Sequence, residues 1–180
     1  MDAPLRDRLR ALSSFPESLP FFDAQSAPAD AAELFRQWLN DAIDAGLTAP
    51  HAVSFATAGP TGHVTSRILI LKDLVDGRWV VAGARSTRKG LDLAANPQAA
   101  MTFWWPELGR QVRVVGEVEE LSSEVAAADW AARPEVTTPA NPDWAAWALE
   151  ASEVEFWQAR HDRQHVRLRY RAGEATPHLV

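Results

Sequence analysis

The sequence predicts a mainly β protein with some α structure: an antiparallel Greek-key β-barrel, closed or split, with helices packed outside. Three observations predict it. Roughly five or six runs rich in β-branched and aromatic residues are separated by turn signals. Helical patterns are scattered among these runs. The 180 residues, 47% of them hydrophobic, suffice for one domain with a real core.

The elements follow in order. Residues 1–27 mix Pro, Ser, Ala and charges and read as an arm, partly helical at "PLRDRLRALSS"; residues 28–180 read as a single domain. In "APADAAELFRQWLNDAIDAGLTAP", Leu34, Phe35, Trp38, Leu39, Ala42 and Ile43 recur at helical spacing, with Pro28 near the start and Gly46 at the C-cap. "HAVSFATAGPTGHVTSRILILK" is two strands around a "GPTG" turn, and Asp76-Gly77 turns the chain into "RWVVAGA". "STRKGLDLAANP" is a short helix that Ser86 can cap and Asn96-Pro97 stops. "QAAMTFWW" and "RQVRVVGEVEEL" are strands joined through "PELG". Ser122 can cap a helix over "SEVAAADWAA", "EVTTPANP" is a loop, and Asn141-Pro142 opens a last helix through "DWAAWALEASEVEFWQA". "HDRQHVRLRY" closes the chain as a strand.

Composition removes several functions. No apolar run approaches the length of a membrane span, and the first residues lack the apolar core of a secretory signal. With no cysteine there is no disulfide, thiolate metal site or cysteine nucleophile, which fits a cytoplasmic protein. A formal net charge of -6 argues against nucleic-acid binding. No metal motif, dinucleotide-binding glycine pattern or phosphate-binding P-loop is present. Eight tryptophans against one tyrosine point to flat apolar surfaces that need covering, a planar ligand among the candidates.

Cations gather locally instead. Arg88 and Lys89 stand in the first turn of a helix, where free backbone N–H groups attract anions and basic side chains oppose the helix dipole. That is either a solvated basic turn or a phosphate site. Arg67 and Lys72 bracket the apolar run "SRILILK", which reads as buried on both faces, so its end charges need partners or solvent. Gln111 and Arg113 share a strand face that is either wet or functional. In the last strand, Arg163, His165, Arg167 and Arg169 fall on one parity, and like charges on one face repel. Neighbouring arginines disfavour a charged His165, and a neutral imidazole can hydrogen-bond a substrate or pass a proton.

In this order, "SRILILKD", "STRKGLDLAANPQAAMTFWWPELGRQVRVVGEVEELS", "AARP" and "VEFWQARHDRQHVRLRY" resemble the pyridoxamine 5'-phosphate oxidase family, over most of residues 34–134 and again over 153–170. The pairing of "RQVRVVGEVE" with "EFWQ" and a following Arg-x-His-x-Arg makes the resemblance specific. It implies a homodimeric split barrel with FMN at the subunit interface, oxidising pyridoxine or pyridoxamine 5'-phosphate to pyridoxal 5'-phosphate with oxygen as acceptor. Arg67, Arg88 and Lys89 then match holders of the FMN phosphate, with Ile68 and Leu69 beside them. Lys72 matches a residue between flavin and substrate phosphate; Gln111, Ser152, Trp157 and Arg167 match flavin contacts, Gln111 reaching the partner subunit's cofactor. Arg133 and Thr137 match substrate-phosphate ligands, and Arg163 and His165 match the catalytic pair facing the pyridine ring.

The chain departs from the family pattern at the substrate end. Asp129 stands where the family has a tyrosine on the substrate phosphate, and a carboxylate there repels phosphate. Thr137 replaces a serine, only the serine of a Gln-Ser pair survives at Ser152, a long segment before "EFWQ" is nearly absent, and "EATPHLV" lacks the usual Trp-containing end. A different aromatic substrate, such as a phenazine precursor, and an FMN carrier without turnover therefore stand as alternatives.

Overall fold

The computed structural model describes residues 3–134, 136, 138 and 140–180. Helix α1 (Leu5–Arg10) lies on the arm with no buried residue. Helix α2 (Ala31–Asp44) starts where Asp30 accepts the Ala32 N–H at 2.9 Å and ends before Gly46 in the left-handed region. Strands β1 (Ala52–Ala58), β2 (Val64–Ile70), β3 (Asp73–Val75) and β4 (Arg78–Ala84) follow. Helix α3 (Arg88–Ala95), strands β5 (Gln98–Trp105) and β6 (Arg110–Glu120), helix α4 (Ser123–Ala131) and strands β7 (Trp144–Gln158), β8 (Val166–Arg171) and β9 (His178–Leu179) complete the chain. No helix among the described residues is long and apolar enough to cross a membrane.

All strand pairs are antiparallel, in the order β2-β1-β5-β6-β7-β4-β3, with β8 added to β7 and β9 to β8. The backbone leaving β2 bonds to β4, Lys72 N–H donating to the Val80 carbonyl at 2.8 Å, which brings the two ends of the sheet together. The inner faces bury Val53, Phe55, Trp79, Met101, Phe103, Val112, Leu149 and Phe156. Helix α2 sets Phe35 against Trp79 and Phe103, and Trp38 against Phe156. The mainly β barrel with helices outside is as expected.

Three local expectations are corrected. The stretch expected as a last helix is β7, a 15-residue strand. Its first half is buried on both faces, so no alternation shows, and its Ala, Leu and Glu content suits a helix; pairing with β4, β6 and β8 overrides that propensity. At Gly116 a Cβ would lie 1.9 Å from the Glu150 carbonyl oxygen, so only glycine fits where the β6–β7 register shifts. Strand β2 is not buried on both faces: it lies at one end of the pairing order and leaves Val64, Ile68 and Ile70 64%, 66% and 38% exposed. The last long strand begins at Val166 rather than at residue 161, because Asp162 folds the preceding residues into a turn, accepting the Gln164 N–H at 2.9 Å and pairing with Arg160.

Candidate functional site

The start of α3 faces the β1–β2 hairpin. Arg67 and Thr65 on β2 sit opposite Phe55 and Thr57 on β1. The Arg67 guanidinium donates to the Thr57 hydroxyl at 2.9 Å and to the Phe55 carbonyl at 3.1 Å. Thr57 and Thr65 donate in turn to Asp92 on α3, at 2.9 and 3.3 Å, and Arg88 Nε donates to the other Asp92 oxygen at 2.8 Å. The Arg88 hydrogen bond, with help from Thr57 and Thr65, holds the Asp92 carboxyl below its ordinary range.

Lys89 is 8% exposed, and the only partner of its ammonium among the described residues is the Thr87 hydroxyl at 2.9 Å. It packs over Gly83, where a Cβ would come 2.5 Å from Lys89 Cε, and near the Trp147 ring. Burial, then repulsion from Arg67, pushes the Lys89 ammonium below its usual range. Burial does the same to Arg67, with Arg88 adding to it. Asp92 is the one carboxylate in an ion pair with this group among the described residues, and Asp143, bonded to Ser86, favours the charged Lys89 without pairing with it. Cations whose charge is disfavoured by burial and by a neighbouring cation are suited to a further, external anion. The helix cap differs from expectation: Thr87 is the N-cap, without a side-chain bond, while the Ser86 hydroxyl and N–H both donate to Asp143.

A second group lies on the outer face of the sheet. Register places Trp104, Gln111, Trp157 and Arg167 in one row across β5, β6, β7 and β8. A cavity of about 640 Å³ is lined by Gln111, Arg113, Glu155, Trp157, His165 and Arg167, among others. His165 lies in the turn before β8, its ring centroid 4.7 Å from that of Trp157, and its Nδ1 accepts the Arg160 N–H at 3.0 Å. No bond to Nε2 is made among the described residues, which leaves that nitrogen to meet a ligand. Phe15 of the arm rests on Trp104 and Trp157 at 6.1 and 5.9 Å. Arg163 does not line this cavity; it is exposed in the turn at φ 62°. The crowding of like charge expected on the last strand is relieved from β7. Arg169 pairs with Glu155 at 2.8 Å and Arg171 with Glu153 at 3.1 Å, and Glu155 also holds Arg113 at 2.9 Å.

The third group is a corner between the end of β2, α4 and the start of β7. Lys72 Nζ lies 3.3 Å from Asp129 Oδ1, and Trp144 Nε1 donates to Asp129 Oδ2 at 2.9 Å. The Arg133 guanidinium stacks 4.3 Å over Trp144 and 5.3 Å over Trp130. Thr137 lies outside the described residues. Ile68 points outward from β2, Leu69 packs against the core, and Ser152 joins none of the three groups, its hydroxyl donating to the Val115 carbonyl at 3.0 Å. Sequence reasoning missed Asp92, Thr57 and Thr65 behind the cations, and Trp104 in the aromatic row. Asp92 was signalled by its place four residues after Arg88, and Thr57 and Thr65 by the hairpin register.

Comparison with known proteins gives one consistent result. The family model described as pyridoxamine 5'-phosphate oxidase matches residues 39–158, and that of the pyridoxine 5'-phosphate oxidase C-terminal dimerisation region matches residues 144–177. The chain is 36% identical to a pyridoxine/pyridoxamine 5'-phosphate oxidase of Thermosynechococcus vestitus, covering 81% of this chain and 84% of the relative. It is 34% identical to another of that name from Deinococcus deserti, covering 84% and 87%. Among solved structures it is similar to PhzG from Burkholderia lata 383 in complex with tetrahydrophenazine-1-carboxylic acid, with a TM-score of 0.84, 24% identity and coverage of 93% and 98%. It is also similar to a pyridoxamine 5'-phosphate oxidase-related, FMN binding protein from Nostoc punctiforme, with a TM-score of 0.72, 16% identity and coverage of 88% and 99%. At those identities the two structures speak for the fold.

Proposed function

Because this chain belongs to the pyridoxamine 5'-phosphate oxidase family, we propose that it is an FMN-dependent oxidase converting pyridoxine or pyridoxamine 5'-phosphate to pyridoxal 5'-phosphate in the cytoplasm, with oxygen as acceptor. The observation that carries the reading is the buried Lys89, with Arg67 and Arg88 beside it, in want of an anion. Arg67, Arg88 and Lys89 would bind the FMN phosphate, where charge-assisted bonds replace the repulsion among them. Bound FMN would supply the redox chemistry, taking hydride from the substrate and passing electrons to oxygen. Gln111, Trp157 and Arg167 would flank the ring system, with Trp157 as a flat wall. His165 Nε2 would hydrogen-bond the substrate's ring substituents and hold a proton there, and Arg163 would reach the substrate from the turn. Lys72, Arg133 and Thr137 would face the substrate phosphate.

The cations of α3 and the row led by Gln111 lie on different parts of one chain, and the outer cavity holds none of Arg67, Arg88 and Lys89. A site shared across a homodimer would unite them, in keeping with the matched dimerisation region. Anaerobic addition of pyridoxine 5'-phosphate to the FMN-loaded protein should bleach the flavin band, and air should restore it with pyridoxal 5'-phosphate formed. Firm flavin binding without bleaching would retire the substrate. His165→Ala should lower kcat by about a hundredfold, and Arg163→Ala should lower it less, while both proteins stay yellow. A protein that stays yellow without turnover, and whose flavin binding neither substitution changes, would be a flavin carrier; unchanged turnover in both variants would remove Arg163 and His165 from the chemistry.

A further inference from the structure

The candidate ligand residues differ in how far the fold has already used their charge. Asp129 has both carboxylate oxygens committed, one to Lys72 Nζ at 3.3 Å and one to the Trp144 indole N–H at 2.9 Å. The two charged side chains are only 31% and 16% exposed, so solvent screens their attraction incompletely. Arg133 is held by stacking on Trp130 and Trp144 and has no carboxylate partner among the described residues. The corner therefore offers a ligand two cations and a carboxylate. A phosphate monoester carries between one and two negative charges near neutral pH. To meet it fully, Lys72 must leave Asp129, and Asp129 then stands beside the phosphate without its cation. If Lys72 stays, it meets the phosphate already neutralised.

We propose that Asp129 is a specificity-determining residue. By holding Lys72 it weakens the pocket for the phosphate of its substrate and narrows the preference for a phosphorylated aromatic over the same ring without phosphate. This rests on the reading that Lys72 and Arg133 face the substrate's phosphate. Asp129 acts through electrostatics at the non-reacting end, so its effect falls on binding and leaves the chemical step alone.

The test is steady-state kinetics of the FMN-loaded protein and its D129N variant with pyridoxine 5'-phosphate and with pyridoxine. Pyridoxal 5'-phosphate affinity, followed by quenching of tryptophan fluorescence, gives a readout independent of turnover. Asparagine keeps the size of Asp129 and can still accept the Trp144 N–H. We expect D129N to lower KM for the phosphate ester, and Kd for pyridoxal 5'-phosphate, about tenfold, with kcat and the KM for pyridoxine unmoved. K72Q added to D129N should cancel that gain. Unshifted values in D129N, equal shifts for both substrates, or a gain that survives K72Q would overturn the role. W144F removes one tether of α4 but keeps both charges, so a gain in W144F as large as in D129N would assign the effect to a loosened helix and also overturn it. A wild type that neither oxidises nor binds any of these compounds defeats the functional reading itself. An active wild type with an indifferent D129N defeats only Asp129's part.

Discussion

The start of α3 and the corner at α4 are built from the same materials and end in opposite states. At α3, Arg67, Arg88 and Lys89 gather near Asp92, and Lys89 is buried with no ion pair among the described residues, Asp143 favouring its charge only through space. At α4, Asp129 takes up the charge of Lys72, and Arg133 lies against two indoles. Charge left unbalanced by a fold marks where something from outside belongs. Charge balanced within it marks architecture that a ligand must disturb. Helix α4 has reason to use such tethers, since it buries only Ala126.

The largest expected effect comes from the unbalanced side. Lys89→Met should weaken FMN binding about a hundredfold in a fluorescence titration, the scale of losing a buried charge-assisted contact. The ligand-free protein should melt no lower than wild type, because a buried ammonium repelled by Arg67 costs the apo fold stability. Intact affinity with a lowered Tm would make Lys89 a structural lysine and erase the contrast.

Asp92 sharpens it next. Its folded-state pKa lies below the ordinary value of 3.8, first because of Arg88 and then because of Thr57 and Thr65. Its stabilisation is therefore complete above the unfolded pKa and is lost as pH falls through the folded one. In thermal melts across pH, D92N should be less stable than wild type near neutrality, and the two curves should converge in acid. A gap that persists unchanged below the folded pKa would show that the carboxylate's charge is not what matters. The smallest effect belongs to the balanced side. W144F gives up one hydrogen bond to a half-buried carboxylate, about 1 kcal/mol, read as a Tm lowered by a few degrees. A larger drop would mean that the corner is held by more than the tethers seen.

The contrast also marks what could be read from the chain beforehand. Helix α2, the β1–β2 hairpin and the strands β5 and β6 were legible because local signals and tertiary role agree there. The cations at α3 were legible because a helix start advertises its own electrostatics. Strand β7 was not, since Ala145, Ala146, Trp147, Ala148 and Leu149 are all buried and leave no period to read. The parity of the last strand misled for a related reason: the carboxylates that pair with its arginines sit on β7, in Glu153 and Glu155, a strand that sequence reading had made a helix. The Asp129–Lys72 pair joins residues far apart in the chain, and only the closing of the sheet beside Lys72 brings them within reach.

Strand β7 pairs with β6 along nearly all of its length, with β4 over its first half and with β8 over its second. One residue inserted or deleted inside either half would turn the side chains that follow it to the opposite face and break their register with β6 and with β4 or β8. Among the described residues, the stretches between α4 and Trp144, and between Gln158 and Val166, lie in no strand. Whatever lengthens or shortens this chain through descent has room to act at those two joints, one beside Arg133 and one at Arg163 and His165. The pocket can thus be remodelled while the spine that carries it keeps a fixed measure.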